Sequence, residues 1–359
     1  MSRHYQTELL AIDPGQPEAE RIEYAASFLR RGELVIFPTE TVYGLGANAL
    51  QVPAVEAIFA AKGRPFYDPL IVHIADIEEL GQLVSSIPDT AQLLARTFWP
   101  GPLTLIFPTN ERVSARVTAN LPTVAIRMPR HPVARALIRA SGSPIAAPSA
   151  NRFMHVSPTT AQHAWRDLAG RVPLILDAGP CEVGVESTIL DLSGAVPLVL
   201  RPGGISLEAL RKVLPEIQMP QVRSQTQTEE REQGQVTAPG QMLVHYAPGV
   251  PTYLYEGTQE QVQKALFAEA EQRTDKGERV GLLLAEEDLP FFAQSRAQIY
   301  SLGRDQQPEE VAAHLFAGLR ALEEADVQVI LCRSFSERGL GLAIQDRLLK
   351  ASGGKVIRL

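Results

Sequence analysis

The stretch "PEAERIEYAASFLRRGELVIFP", residues 17–38, sets a helical pattern directly before an apolar run. Its apolar residues recur at helical spacing and a glycine ends the pattern: Ile22, Ala25, Ala26, Leu29 and Gly32. The run "ELVIFP" that follows has the length and composition of a buried strand. This helix-then-strand unit predicts an α/β fold.

The same alternation continues to about residue 200. Further helices are predicted in 53–63, 90–98, 131–142 and from Pro158, and further strands in 69–74, 102–107, 123–129, 143–148, 172–179 and 187–192. Such interleaving implies a twisted mixed sheet covered by helices. From 251 onward, four apolar runs and two helical patterns predict a second, smaller Rossmann-like α/β domain. It carries no G-x-G-x-x-G or Walker motif.

The segment between the two patterns is rich in Gln, Thr and Glu and lacks apolar periodicity. We therefore predict a first domain at 1–215, a linker at 216–250 and a second domain at 251–359. A length of 359 residues also favours two domains. The end of the linker, "MLVHYAPG", carries aromatic and proline residues that are unusual in a solvated tether, so we expect it to dock on another part of the protein.

Composition excludes several classes of protein. No run approaches the ~20 apolar residues of a membrane span, and the opening lacks a signal-peptide core, so a cytoplasmic protein is expected. Cys181 and Cys332 are too few for a disulfide framework or zinc site. The net charge of -7 argues against a surface built to coat nucleic acid. Up to residue 215, 19 basic face 20 acidic side chains, so cations can concentrate in a pocket there.

Polar residues interrupt the predicted strand ends, where ligands bind in open α/β sheets. The stretches are "PTETVYGLGAN" (38–48), "KGRPFYDPLIVH" (62–73), "AIRMPRHP" (125–132), "AAPSANRFMHVSPT" (146–159), "GVESTILDL" (184–192) and "LRPGG" (200–204). They contain four cations that could together bind a triphosphate or a carboxylate: Lys62, Arg64, Arg127 and Arg201. Each cation alone could equally be a surface residue at the end of a helix or strand.

Other residues in these stretches also allow two interpretations. Ser149 and Asn151 could orient a ligand or form an ordinary turn, and His73 could be a ligand contact or a core histidine. No H-E-x-x-H motif or nucleophile signature occurs, so neither a protein-held metal nor a covalent intermediate is expected. A site that positions anions and offsets developing charge remains, which is typical of phosphoryl or nucleotidyl transfer.

The ordered motifs closely resemble the Sua5/YrdC family of threonylcarbamoyl-AMP synthases. They are the K-x-R and S-x-N pairs, "FPTETVYGLGANA", "WPGPLTLIF", "VAIRMPRHP", "GVESTILDL" and "LRPG". The "HYAP" segment with a domain after it is similar to the long Sua5 form, and the match covers nearly the whole chain. The resemblance implies a nucleotidyltransferase that makes threonylcarbamoyl-AMP and pyrophosphate from L-threonine, bicarbonate or CO2, and ATP carried with Mg2+. The product would pass to a separate transferase that modifies tRNA.

The resemblance also implies site residues by position. Threonine contacts would be Thr41, His73, Arg127, Ala147 through its backbone, and Ser187. ATP contacts would be Lys62, Arg64, Asp68, Thr123, Ser149, Asn151, Ser157 and Arg201. Of these, Lys62, Arg64 and Arg201 would offset phosphate charge during catalysis. His245 and Tyr246 would form a lid over the site.

Three departures from the family pattern stand out. Asp68 replaces an Asn, Gln241 and Val244 replace a Met and a Lys of the linker, and Asp346 replaces an Asn. A carboxylate at Asp68 should repel a triphosphate unless a cation intervenes.

Two other functions are open to the same residues. A basic concave sheet could bind double-stranded RNA or tRNA without catalysis, but that function calls for a wide basic stripe, which the near-neutral first domain disfavours. A carbamoyl-transferring enzyme like the hydrogenase-maturation proteins would need acylphosphatase-like and zinc-finger segments, and neither is visible.

Overall fold

The structure, a computed structural model, describes residues 4–220, 238–240 and 246–359. The chain forms two compact units. The first comprises Met1–Phe153, Pro158–Glu182 and Glu186–Gln241, and the second comprises Met154–Ser157, Val183–Val185 and Met242–Leu359. The predicted domain boundaries differ from these units, because the short segments Met154–Ser157 and Val183–Val185 group with the later part of the chain.

The first unit contains a mixed sheet. Its strands are β1 (Glu8–Ala11), β2 (Val35–Phe37), β3 (Gly44–Asn48), β4 (Ile71–His73), β5 (Leu103–Pro108), β6 (Thr123–Arg127), β7 (Ile145–Ala146), β8 (Leu174–Asp177), β9 (Thr188–Asp191) and β10 (Leu198–Arg201). In the described part of the chain they follow the order β1-β8-β2-β3-β7-β4-β6-β5-β9-β10. Strand β4 runs parallel to β6, whereas β5 runs antiparallel to β6 and parallel to β9.

Helices cover this sheet on both faces. They are α1 (Ala19–Arg30), α2 (Val52–Lys62), α3 (Asp89–Phe98), α4 (Ala115–Thr118), α5 (Pro132–Ser141), α6 (Ala161–Leu168) and α7 (Leu207–Val213). Strand β2 shows why its sequence is continuously apolar. Ile36 packs in one core cluster with Ile58 of α2, while Val35 and Phe37 pack in the other with Leu29 of α1. A strand buried on both faces needs apolar residues at successive positions.

The second unit contains a parallel sheet. Its strands are β11 (Thr252–Glu256), β12 (Val280–Leu284), β13 (Gln298–Ser301), β14 (Val329–Arg333) and β15 (Val356–Arg358), and its helices are α8 (Gln259–Asp275), α9 (Pro308–Glu324) and α10 (Gly341–Ala351). The described strands follow the order β13-β12-β14-β11-β15, all parallel. Mixed-sheet and parallel-sheet α/β units confirm the predicted fold class.

Several elements were not predicted from the sequence. Strand β3 occupies part of the stretch expected to be a ligand loop. Helix α8 buries only a narrow stripe, formed by Val262, Leu266 and Ala270, so its helical pattern is weak. No helix among the described residues is both long and apolar enough to cross a membrane.

The segment that directly follows α7 packs on the first unit. Ile217 is fully buried, and the backbone of Gln218 bonds to Pro197 O (3.0 Å) and accepts from Val199 N (2.9 Å). Residues 216–219, predicted as the start of the linker, therefore lie alongside β10.

Candidate active site

Three polar side chains form a row across the centre of the first sheet. In the strand register His73 of β4 lies opposite Arg127 of β6, and Arg127 lies opposite Thr104 of β5. The apolar neighbours Val72 and Ile126 belong to the core cluster. Because side chains alternate along a strand, the polar row faces away from that cluster.

The guanidinium of Arg127 is fixed by three contacts. It pairs with the Glu40 carboxylate (Nη2 to Oε1, 2.7 Å), donates to Thr41 Oγ1 (2.8 Å) and donates to Gly101 O (3.3 Å). Glu40 is 2% exposed and Arg127 is 4% exposed. Burial is the largest influence and raises the pKa of Glu40, but the charge and close approach of Arg127, together with the nearby backbone N–H groups of Glu40 and Arg130, hold that pKa below its usual value. Glu40 is therefore ionised.

The turn that carries Glu40 is held by the Thr39 hydroxyl. This hydroxyl donates to Val42 O (2.6 Å) and accepts the N–H groups of Thr41 and Val42 (both 3.2 Å). It also bonds to the Thr41 hydroxyl at 2.8 Å. The stretch "PTETV" is thus a hydrogen-bonded turn that places Glu40 and Thr41 in contact with Arg127.

His73 is a buried, neutral histidine. Burial and the charge of Arg127 lower the pKa of His73 to about 3, although Glu40 opposes this shift. Its ring packs edge-on against Phe37, with 6.3 Å between centroids. Within the described residues, Nδ1 is buried and has no hydrogen-bond partner. The ring can therefore offer a polar atom to a ligand without carrying charge.

We expect His73→Gln to reduce the sensitivity of the first unit to acid. An unfolded histidine binds a proton near pH 6.5, whereas folded His73 does so only near pH 3, so stability falls as the pH drops below 6.5. Between pH 7 and pH 5 this linkage contributes about 2 kcal/mol to the loss, which the variant should not show. Urea unfolding followed by tryptophan fluorescence measures it, because Trp99 and Trp165 both lie in the first unit. His4→Gln, at an exposed position, should behave like the wild type; identical acid slopes for His73→Gln and the wild type would contradict the prediction.

Ser187 directly precedes β9 and lies next to this row. Its hydroxyl bonds to the Thr104 hydroxyl at 2.7 Å. Arg201, at the end of β10, donates through Nη2 to Ser187 O (2.9 Å) and to Ser187 Oγ (3.2 Å). Thr104 was not predicted as a site residue, yet it is the one polar residue inside the apolar run "PLTLIF". That interruption was the signal that could have found it.

Arg64 and Asp68 form a second buried ion pair. Gly63 ends α2 in the left-handed region (φ 68°), and the loop after it brings Arg64 Nη2 to 2.9 Å from Asp68 Oδ1. Arg64 also donates to Asp68 O (3.2 Å) and Pro69 O (2.7 Å). Burial raises the pKa of Asp68, against the attraction of Arg64, Lys62 and Arg201. Arg64, which pairs with the unusual carboxylate of Asp68, is thus itself a predicted ATP ligand.

Lys62 joins the K-x-R and S-x-N pairs. Its amine donates to Ser149 O (2.6 Å) and Asn151 O (2.5 Å). The Ser149 hydroxyl donates in turn to Asn151 Oδ1. Lys62 is itself buried, so it fixes the loop that carries Ser149 and Asn151.

The remaining predicted contacts lie in varied settings. Thr123 is half-buried at the start of β6, and the N–H of buried Ala147 donates to Ile71 O (2.9 Å). Ser157 is fully buried in the segment that groups with the second unit. The ligand roles assigned to all these residues stay predictions.

The predicted lid falls partly outside the described residues, as do His245, Gln241 and Val244. Tyr246 is described and is buried within the second unit, where its ring lies 5.5 Å from that of Phe316 and under the guanidinium of Arg347 (4.9 Å). Asp346, another departure from the family pattern, pairs with Arg347 and with Lys350 (2.8 Å).

Comparison with known proteins places these features in a family. The Sua5/YciO/YrdC family model, described as "Telomere recombination", matches residues 27–203, and the model "Threonylcarbamoyl-AMP synthase, C-terminal domain" matches residues 205–353. The threonylcarbamoyl-AMP synthase of Bacillus subtilis is 48% identical over 339 residues, covering 94% of each chain. That of Pyrococcus abyssi is 43% identical, covering 95% of this chain and 97% of its own. The crystal structure of P. abyssi Sua5 complexed with L-threonine superposes with a TM-score of 0.90 at 42% identity, covering 98% of this chain and 100% of the other.

Fold and sequence together define a two-domain α/β enzyme of the nucleotidyltransferase type. More narrowly, the chain belongs to the Sua5/YrdC family of threonylcarbamoyl-AMP synthases, in its long form with a C-terminal domain. Its activity is that of the family, the synthesis of an adenylate used in tRNA modification. The resemblance drawn from the sequence motifs is thereby confirmed.

Proposed function

We propose that the chain forms L-threonylcarbamoyladenylate and pyrophosphate from L-threonine, bicarbonate or CO2, and ATP carried with Mg2+. The contact between Arg201 and Ser187 carries the proposal, because one residue is a predicted ATP ligand and the other a predicted threonine ligand. Their hydrogen bonds support a site in which the two substrates lie side by side. A bond must form between a threonine-derived carbamate and the α-phosphorus of ATP, so adjacent half-sites are what the chemistry needs.

In the threonine half-site, the guanidinium of Arg127 would bind the substrate carboxylate. Neutral His73 and the hydroxyls of Thr41 and Ser187 would contact the amine and hydroxyl, with the Ala147 backbone beside them. A buried partner for the threonine hydroxyl would disfavour valine, since valine would leave that partner unpaired.

In the ATP half-site, Lys62, Arg64 and Arg201 would offset charge on the phosphates and the departing pyrophosphate, together with the Mg2+ that arrives with ATP. Further ATP contacts would come from Asp68, Thr123, Ser149, Asn151 and Ser157. The carbamate oxygen would attack the α-phosphorus as the bond to pyrophosphate breaks.

The product is a mixed anhydride that water hydrolyses, so a cover over the site would protect it. The proposed cover is the "HYAP" segment with His245 and Tyr246. The product would then pass to a separate cytoplasmic transferase that acts on tRNA. Stable tRNA binding by this chain is not expected, because its net charge is -7.

Incubation of the protein with ATP, Mg2+, bicarbonate and L-threonine tests the proposal. Pyrophosphate and the adenylate should accumulate together, and omitting either threonine or bicarbonate should stop both. L-Valine in place of threonine should give turnover lower by about 100-fold or more. Pyrophosphate release that needs neither threonine nor bicarbonate would contradict the proposal.

A further inference from the structure

We propose that Glu40 is a positioning and specificity-determining residue, which makes the threonine half-site select a zwitterionic amino acid over an anion of the same shape. The inference rests on the proposed function, in which Arg127 binds the threonine carboxylate. It adds a residue to that site and a chemical criterion for its ligand, namely a positive charge beside the carboxylate.

The contacts of Arg127 give Glu40 its positioning role. Of the three described groups that fix the guanidinium, two are neutral oxygens, on Thr41 and Gly101, whereas Glu40 is charged. Glu40 attracts the guanidinium across 2.7 Å in a buried setting, where water screens the attraction little, although the two atoms are not aligned as a hydrogen bond. Glu40 therefore restrains the guanidinium through its charge, in addition to the hydrogen bonds to Thr41 and Gly101.

The turn that carries Glu40 is restrained by hydrogen bonds. Thr39 uses its hydroxyl to hold the backbone at both Thr41 and Val42, one and two residues beyond Glu40. Because Glu40 is also only 2% exposed, its carboxylate has little room to move away from Arg127. Its charge is therefore part of the half-site.

The charge of the half-site follows from these groups. Arg127 is positive, Glu40 is ionised and His73 is neutral, so these three groups sum to zero before a ligand binds, while Arg201, which contacts Ser187, adds a positive charge that Glu40→Gln leaves unchanged. A zwitterion also has zero net charge and can place its carboxylate on Arg127 with its ammonium in the field of Glu40. An anion without the ammonium meets an arginine whose charge is already balanced. Because both residues are almost fully buried, water screens these interactions little.

A second pair on the same unit provides a matched control. Glu182 and Arg130 are also separated by 2.7 Å, but their side chains are 73% and 50% exposed. An exposed pair contributes little to the local field because solvent screens it. Glu182→Gln thus makes the same chemical change as Glu40→Gln without removing a buried charge.

Calorimetric titration with two ligands tests the proposal. The ligands are L-threonine and the 2,3-dihydroxybutyrate of matching configuration, which carries a hydroxyl in place of the ammonium group. The wild type and Glu182→Gln should bind threonine more tightly than the hydroxy acid. In Glu40→Gln the ratio of the two dissociation constants should shift toward the hydroxy acid by about 10-fold or more, which corresponds to the loss of one buried charge pairing.

A purely structural role predicts a different outcome, because misplacing Arg127 weakens both ligands alike. An unchanged ratio in Glu40→Gln would overturn the proposal. Glu40→Asp keeps the charge and should keep the wild-type preference even if both affinities fall. A shifted ratio in Glu40→Asp would equally overturn the proposal, so this variant also tests it if Glu40→Gln does not fold. A wild type that binds no threonine would instead count against the proposed function.

Discussion

Arg64→Ala is expected to weaken ATP binding by about 100-fold or more, because it removes a buried guanidinium that would bind a phosphate of ATP. Threonine affinity should be largely kept. The proposed threonine ligands Arg127 and His73 lie on the central strands, whereas Arg64 lies on the loop after α2 and bonds within that loop. Calorimetric titrations with each substrate alone separate the two effects.

The same substitution leaves the fully buried Asp68 without its ion-pair partner. Breaking one side of a buried pair costs about 3–5 kcal/mol of stability. The double variant Arg64→Ala with Asp68→Asn removes the stranded charge, so we expect it to regain stability but not ATP binding. Arg116→Ala, which removes an exposed cation paired with Glu56, is the control and should change neither property. Equal loss of ATP and threonine affinity in the double variant would contradict the assignment of Arg64.

Gly203→Ala is expected to distort the site through the backbone. A Cβ atom at this position would lie 2.3 Å from Glu186 O, 2.5 Å from Ser187 C and 2.5 Å from Thr188 N. These are main-chain atoms, so the start of β9 must move and must displace Ser187 from Thr104 and Arg201. We expect a loss of about 3 kcal/mol in stability, together with weaker binding of both threonine and ATP.

Urea unfolding followed by tryptophan fluorescence and titrations with the two substrates measure this effect. Gly194→Ala is the matched control in the same unit, because its added Cβ would lie no closer than 3.8 Å to the nearest atom, Val196 O. The control should be indistinguishable from the wild type. A Gly203→Ala protein with wild-type stability and affinities would contradict the prediction, because the β9 backbone would then have moved without cost.

Elements with strong local signals could be predicted from the sequence. Strand β2 is apolar at each of its three positions because helices cover both of its faces, and α1 shows a clear apolar stripe. Helix α8 and strand β3 were not predicted, for two different reasons. The stripe on α8 is narrow, whereas the glycines of β3 resemble a loop until the pairing with β2 is known.

The residues of the candidate site also differ in how far the sequence predicts them. Its arginines could be named from the sequence because Arg127 and Arg201 end apolar strands and Arg64 lies in the loop before one. Their partners could not, since the contacts of Glu40 with Arg127 and of Thr104 with Ser187 span 87 and 83 positions and depend on strand order. From the sequence alone, Asp68 is expected to repel ATP unless a cation intervenes. Only the folded loop reveals that it pairs with Arg64.

The buried residues after α7 bear on how the first unit could be produced alone. A fragment ending at residue 215 would remove Ile217 from the core and Gln218 from beside β10, the strand that ends in Arg201. It would also remove Pro239, whose carbonyl accepts from Arg201 at 3.4 Å. A shortened protein meant to retain catalysis should therefore extend through residue 240, well past the point where the sequence suggests a cut.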